Sequence, residues 1–335
     1  MKLLYVASGP GEDYQCDVLF HGLRTLLGEN AVDANRIVSL YQQPPVIKNR
    51  MYGRGYTVYG NLPDITVDRE HIKEKIRNNY FNVVMYGSIH RCTEYLPEVQ
   101  EAYPPSRIVY VDGEDETRLK WRLLGRGVYF KRELRQAILP YLQPIHFAVP
   151  LEKFIAEQAF EDGLHKKTRA IAHCDPRDRA TYIFDTEDEY YQQYRESFFG
   201  ITIRKAGWDC MRHHEIVSQG TAPLFIDLEA CPRWTLHRLP RAQLLELRGL
   251  QERDPGMDSA ASRRRYVELM RDLFTYYKRT FTTVALAEYV LDTVARSGAL
   301  DSRRKCPVWV QARWMIEQWR SRVMSMTSPL QNPPR

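Results

Sequence analysis

The sequence predicts an α/β protein built on two parallel-sheet layers, and three observations carry that prediction. Short apolar, β-branched runs are each followed by polar turn residues. These runs alternate with helical patterns in both halves of the chain, the order that parallel sheets require. The length of 335 residues also exceeds one domain at ~100–200 residues each, so two are expected.

The first element is a strand over residues 3–7. The turn Ser8-Gly9-Pro10-Gly11 follows, then a helix with Val18, Leu19, Leu23, Leu26 and Leu27 on one side. Residues 41–64, rich in Pro, Gly and Tyr, are too irregular for a core element and read as an excursion or a functional loop over a cleft. Residues 81–86 (FNVVMY) and 107–111 (RIVYV) have the pattern of buried parallel strands with a helix between them. Residues 128–150 carry three prolines, Pro140, Pro144 and Pro150, and read as turning from sheet to connector. The expected division is therefore an N-terminal domain over 1–149 and a C-terminal domain over 150–335. Beyond it, strands are expected at 180–184, 200–204 and 223–227, with helices over 187–196 and 209–219. From Arg263 onward the pattern is helical, with Leu286, Tyr289, Val290 and Val294 spaced for one face. The runs 263–265 and 303–305 read as solvated helix faces.

The formal net charge is +6, without a basic tail, which permits contact with phosphates but does not announce nucleic-acid binding. Cys16, Cys92, Cys174, Cys210, Cys231 and Cys306 form no CxxC pair and read as reduced thiols rather than zinc ligands or disulfides. No apolar stretch reaches the ~18 residues of a membrane span, and 3–7 is too short for a signal-peptide core. A soluble, cytoplasmic protein is the expectation.

Chemistry concentrates in residues 198–240. If 209–219 is helical, Arg212 and Glu215 lie three apart on one face, and Gly220 closes the helix. A guanidinium grips a diphosphate through paired hydrogen bonds, and a carboxylate accepts from both hydroxyls of a ribose. An exposed i,i+3 ion pair worth ~0.3 kcal/mol has the same spacing. This stretch resembles the C-terminal half of GT-B glycosyltransferases, particularly the CgeB-like and glycosyltransferase-family-one-like enzymes. Arg212, Glu215 and Gly220, followed by Ala222-Pro223-Leu224-Phe225, match the RxxExxxxG helix and the strand that hold the donor nucleotide there. The run from Gly207 to Glu215, with Cys231-Pro232 and Leu239-Pro240, is similar to a narrower subgroup. The pair of glutamates eight apart, common in retaining families, is absent because Gly207 stands at the first position.

The resemblance implies two Rossmann-like domains facing across a cleft, with C-terminal helices that cross back to the first domain. It implies a nucleotide-diphosphate sugar, foremost a UDP-sugar, as co-substrate; no cofactor is required, and a divalent ion is left open. Arg212 would hold the diphosphate, Glu215 the ribose hydroxyls, and Arg204 and Lys205 further phosphate charge. The acceptor side needs a group to take a hydroxyl proton. Asp112, directly after RIVYV, stands at a strand's carboxyl end and is similar in placement to the catalytic aspartate of the T-even phage DNA β-glucosyltransferase. The acidic cluster 112–116 suits a helix cap equally well. Gly9 and Gly11 would let backbone approach a ligand, although SGPG lacks the GxGxxG spacing. His90 would orient an acceptor or serve as hydrogen-bonded structure, and Asp209 and His213 complete the expected cleft residues. His213 and His214 point about 100° apart on a helix and do not share a metal ion. Trp208 and Trp234 read as packing residues. A saccharide acceptor is favoured over a DNA base, because no basic track is visible. The competing readings are a DNA base glycosyltransferase, an inactive nucleotide-sugar-binding protein, and an NAD-dependent epimerase or dehydrogenase, the last lacking a Tyr-x-x-x-Lys dyad.

Overall fold

The computed structural model describes residues 1–9, 11–42 and 51–298. Residues 303–305, Cys306 and the middle of the 41–64 loop lie outside the described residues. The first sheet is wholly parallel and runs β2-β1-β3-β4-β5-β6. Its strands are β1 (Leu3–Val6), β2 (Ala31–Asp33), β3 (Val83–Tyr86), β4 (Ile108–Asp112), β5 (Val128–Lys131) and β6 (Leu142–Pro144). Strands buried on both faces read as continuous apolar runs, which is why 3–7, 81–86 and 107–111 are visible in the sequence. Helices α1 (Tyr14–Leu27), α2 (Ile72–Arg77) and α3 (Leu96–Ala102) belong to this half. Asp13 caps α1 by accepting from the Cys16 amide.

Strand order reverses between β1 and β3, and the loops beyond their carboxyl ends meet there, where open parallel sheets bind ligands. Arg91 fastens the two loops: Nη1 donates to the Glu12 carbonyl at 2.9 Å and Nε lies 3.2 Å from the Asp13 carboxylate. Residues 128–150 correct the expectation of a connector, since β5 and β6 both lie in the sheet. Pro144 is tolerated because β6 is an edge strand with only one hydrogen-bonded neighbour.

The second sheet has the order β7-β8-β9, again parallel, from β7 (Arg169–Ile171), β8 (Ser197–Thr202) and β9 (Ala222–Phe225). It is packed by α4 (Glu157–Leu164), α5 (Glu187–Arg195), α6 (Met211–Ser218), α7 (Arg241–Arg253) and α8 (Ala260–Thr280). Thr186 and Glu189 form a reciprocal capping box on α5. Gly220, at φ +72°, ends α6 as expected. The strand expected at 180–184 does not form. Asp178 instead accepts from the Ala180 amide and opens a 3-10 turn, leaving Tyr182 and Ile183 exposed.

The last described helix, α9 (Thr283–Ala295), returns to the first core and buries Leu286, Ala287, Val290 and Val294 there. Gly22 makes the approach feasible, since a Cβ at this position of α1 would stand 1.8 Å from the Thr283 carbonyl oxygen. The outgoing and returning segments pair: the Val149 amide donates to the Phe281 carbonyl at 2.9 Å, and the Thr283 amide donates to the Val149 carbonyl at 3.1 Å. Among the described residues no helix is long and apolar enough to cross a membrane.

Candidate functional site

Helix α6 starts at the carboxyl edge of the second sheet, after the loop that leaves β8. Arg212 stands in its first turn. Its Nε and Nη1 are buried and have no hydrogen-bond partner among the described residues, and its guanidinium carbon lies 5.6 Å from the Tyr182 ring centre. Two enclosed guanidinium nitrogens without acceptors on a half-buried arginine are costly in an isolated protein and suit a site that receives an anion. Lys205 adds to the positive field: burial and then the Arg212 charge lower its pKa, and its Nζ donates to the Pro176 carbonyl. Arg204 is placed differently, with its guanidinium 5.3 Å from the Trp208 ring centre and its amide donating to the Asp227 carboxylate.

Glu215, one turn beyond Arg212, is buried, which removes the exposed ion-pair alternative. Oε1 accepts from Thr57 Oγ1 at 2.5 Å and Oε2 from the Tyr190 hydroxyl at 2.8 Å. Burial raises the Glu215 pKa, opposed by those two hydrogen bonds and by the Arg212 charge. Both oxygens assigned to ribose hydroxyls therefore hold hydroxyls of the protein itself. The sequence reading missed Thr57, Tyr190 and Tyr191. The tyrosines at 190, 191 and 194 lie on the buried side of α5, a pattern the sequence displays, whereas nothing near Thr57 signals its position.

Asp112 ends β4 as expected, but it is wholly buried and saturated. Lys131 Nζ donates to Oδ1 at 2.7 Å, the Tyr129 hydroxyl donates to Oδ2 at 2.7 Å, and His90 Nε2 lies 2.8 Å from Oδ2. Burial acts to raise its pKa, but His90 and Lys131 outweigh it and hold the carboxylate below its ordinary value. This corrects the expectation of Asp112 as the proton acceptor, because an enclosed carboxylate bound by a cation has neither access nor basicity. The structure does bring Asp112 and His90 together, with the His90 side chain 24% exposed. Lys131 and Tyr129, the partners from β5, are further residues the sequence reading missed.

Asp209 and His213 are corrected as cleft residues. Asp209 is buried, accepting from the Phe147 amide at 2.7 Å and contacting His214 Nε2 at 3.0 Å; His214 and other groups hold its pKa at about 2 against the desolvation that would raise it. His213 is buried between Thr202 Oγ1 at 2.6 Å and the Trp208 carbonyl at 2.7 Å, and burial drives its pKa down to about 3. Both are structural. Gly9 is buried and Gly11 exposed, with φ of +83° and +94°, and a Cβ at Gly11 would meet nothing within 4 Å.

The two halves meet beside these groups. Arg132 Nη1 donates to the Asp209 carbonyl at 2.6 Å and Nη2 to the Gly113 carbonyl at 2.8 Å, tying the residue after Asp112 to the loop before Arg212. The Asp209 amide donates to Glu133 Oε1 at 3.0 Å. A Cβ at residue 207 would stand 2.6 Å from that same Glu133 oxygen and 2.7 Å from the Asp115 carboxylate. The space beside residue 207 is thus filled by acidic groups of the first half, which gives Gly207 a steric reason.

Two cavities, of about 220 and 440 Å³, lie elsewhere. The smaller adjoins the C-terminal ends of α4, α5 and α6 and includes Lys167, which donates to the Arg195 carbonyl at 3.2 Å and whose pKa burial lowers to about 7. A lysine there answers the last carbonyl of α5 and, at 3.3 Å, Thr221 Oγ1, and has no need of an anion.

No family model matches the chain, and no curated protein matches it. It is similar to a solved alpha-glucosyltransferase in complex with UDP and a 13-mer DNA containing a HMU base, at 9% identity and TM-score 0.44, covering 88% of this chain and 100% of that one. It is likewise similar to an alpha-glucosyltransferase in complex with UDP and a 13-mer DNA containing a central A:G mismatch, at 10% identity and TM-score 0.46, covering 88% of this chain and 99% of that one. At this degree of superposition no residue role passes from those proteins to this chain.

Proposed function

We propose that the protein is a GT-B glycosyltransferase that moves a sugar from a nucleoside-diphosphate donor, foremost a UDP-sugar, to an acceptor hydroxyl. The observation that carries this is Arg212: half-buried, with Nε and Nη1 enclosed and without an acceptor among the described residues, at the start of a helix and one turn from the buried Glu215. In this reading residues 1–149, completed by α9, hold the acceptor, and the chain beyond 150 holds the donor.

Arg212 Nε and Nη1 donate to the diphosphate, Lys205 adds charge, and the first amides of α6 contribute their dipole. These fixed groups stabilise the negative charge that grows on the leaving diphosphate as the bond to the anomeric carbon breaks. His90, at the reversal point of the first sheet, takes the proton of the attacking hydroxyl. Asp112, bonded to its Nε2, fixes the ring and stabilises the imidazolium, as a carboxylate does for a catalytic histidine elsewhere. The base role thus moves from Asp112 to the more accessible member of the pair.

The test is a thermal-shift screen of the wild type and Arg212→Ala against UDP, GDP, CDP, dTDP, ADP and NAD, followed by transfer assays with saccharides and with DNA carrying a hydroxylated base. Ligand at one hundred times its Kd stabilises by ~2.7 kcal/mol. One diphosphate nucleotide shifts the wild type and loses its effect in Arg212→Ala, while His90→Gln binds that nucleotide and does not turn over. A shift that survives Arg212→Ala overturns the assignment of the donor site.

A further inference from the structure

The segment 51–62 is laid across the second half, and its backbone is held in an unfavourable shape to do so. Thr57 is fully buried at φ +72°, a region that β-branched residues avoid, and Arg54 is also at positive φ, while Gly53, Gly55 and Gly60 adopt it without cost. Three hydrogen bonds pull Thr57 inward. Its amide donates to Glu187 Oε1 at 2.6 Å, its Oγ1 meets the Tyr191 hydroxyl at 2.6 Å, and the same Oγ1 donates to Glu215 Oε1 at 2.5 Å. On either side, Arg54 Nη1 pairs with Asp185 at 2.6 Å and the Tyr56 ring stacks on Tyr190 at 5.8 Å. These partners lie just before α5, on α5 or on α6. The hydroxyl of a strained residue from the first half thus fills an acceptor position of the carboxylate beside the orphaned Arg212.

We infer that Thr57 is a built-in competitor for Glu215, whose hydroxyl stands where a ribose hydroxyl of the donor binds, so that donor entry displaces segment 51–62. The inference rests on the donor-site reading above. Exchange of one hydroxyl donor for another on Oε1 conserves the hydrogen-bond count, and release of the positive φ at Thr57 favours the exchange. Tyr190 keeps Oε2 satisfied throughout. A nucleotide without ribose hydroxyls leaves Thr57 on Oε1, so the competition cancels in the wild type the hydrogen bond by which a ribose hydroxyl would otherwise favour UDP.

Calorimetric titration of the wild type, Thr57→Ala and Thr57→Ser with UDP and with 2′,3′-dideoxy-UDP tests this. In Thr57→Ala the preference for UDP over the dideoxy nucleotide rises about tenfold, the worth of one hydrogen bond, and Thr57→Ser restores the wild-type ratio. Hydrogen exchange on the wild type is a second readout that needs no variant: UDP speeds exchange of the 51–62 amides. UDP binding with an unchanged preference ratio, or with unchanged or slower exchange in 51–62, overturns the inference and leaves the donor-site reading standing. Absence of binding by UDP, GDP, CDP, dTDP and ADP, in wild type and variants alike, overturns both.

Discussion

Asp112 and Glu215 are both carboxylates withdrawn from water at the carboxyl edge of a parallel sheet, and their partners differ in kind. Asp112 is met by Lys131, His90 and Tyr129, so its charge is answered by a cation equally buried. Glu215 is met by two hydroxyls, while Nε and Nη1 of the nearby Arg212 are left without an acceptor among the described residues. A carboxylate held by a buried ammonium is locked, since removing either charge strands the other. One satisfied by hydroxyls exchanges them for the hydroxyls of a ligand at little cost. The first region is built to stay as it is, and the second to be rearranged.

Asp112→Asn is the largest expected test of that contrast. It strands the Lys131 ammonium and costs about 3–5 kcal/mol in a urea titration, whereas Glu215→Gln costs about 1 kcal/mol. Equal losses would erase the distinction between the two sites. Arg212→Met removes a half-buried cation whose Nε and Nη1 lack acceptors and keeps an apolar stem of similar length, so it raises stability by about 1 kcal/mol. The same variant loses nucleotide binding, and a fall in melting temperature without ligand would show that Arg212 is internally compensated after all.

Acid should loosen the second region first, by a smaller increment per group. Burial lowers the pKa values of His213, on α6, and of His237 to about 3. The folded state thus resists protons that the unfolded chain accepts near pH 6.5. Stability is complete above that pH and declines as pH falls toward 4, by up to ~1.4 kcal/mol per pH unit for each histidine. Asp112, whose pKa is lowered from 3.8, loses its contribution only further down as pH passes through its folded value. Hydrogen exchange at pH 5 should therefore open α6 before β4, and the reverse order would contradict the assignment of the histidines as buried and neutral.

Much of the sheet was legible because a strand buried on both faces must be apolar throughout, as 3–6 and 83–86 are. Strand β5 was not, because Lys131 in its last position looks like a surface residue until Asp112 is placed beside it. Strand β7 is three residues long, with Arg169 exposed, and offers no apolar run to read. The Arg212–Glu215 spacing was legible as a helix face, but what fills that face was not. Thr57 precedes Glu215 by 158 positions, and no local pattern announces a hydroxyl that reaches another sheet. The same holds for Asp112, whose place at a strand end was readable while its enclosure depended on β5.

The return of α9 also bears on the order in which the chain is made. Leu286, Ala287, Val290 and Val294 complete a core whose other fully buried members, among the described residues, precede residue 149. Domains generally fold as units during synthesis, N-terminal ones first, but this first core has to wait. Until the ribosome has released residue 295, the face of α1 around Gly22 remains uncovered, and the second sheet can finish folding before the first is sealed.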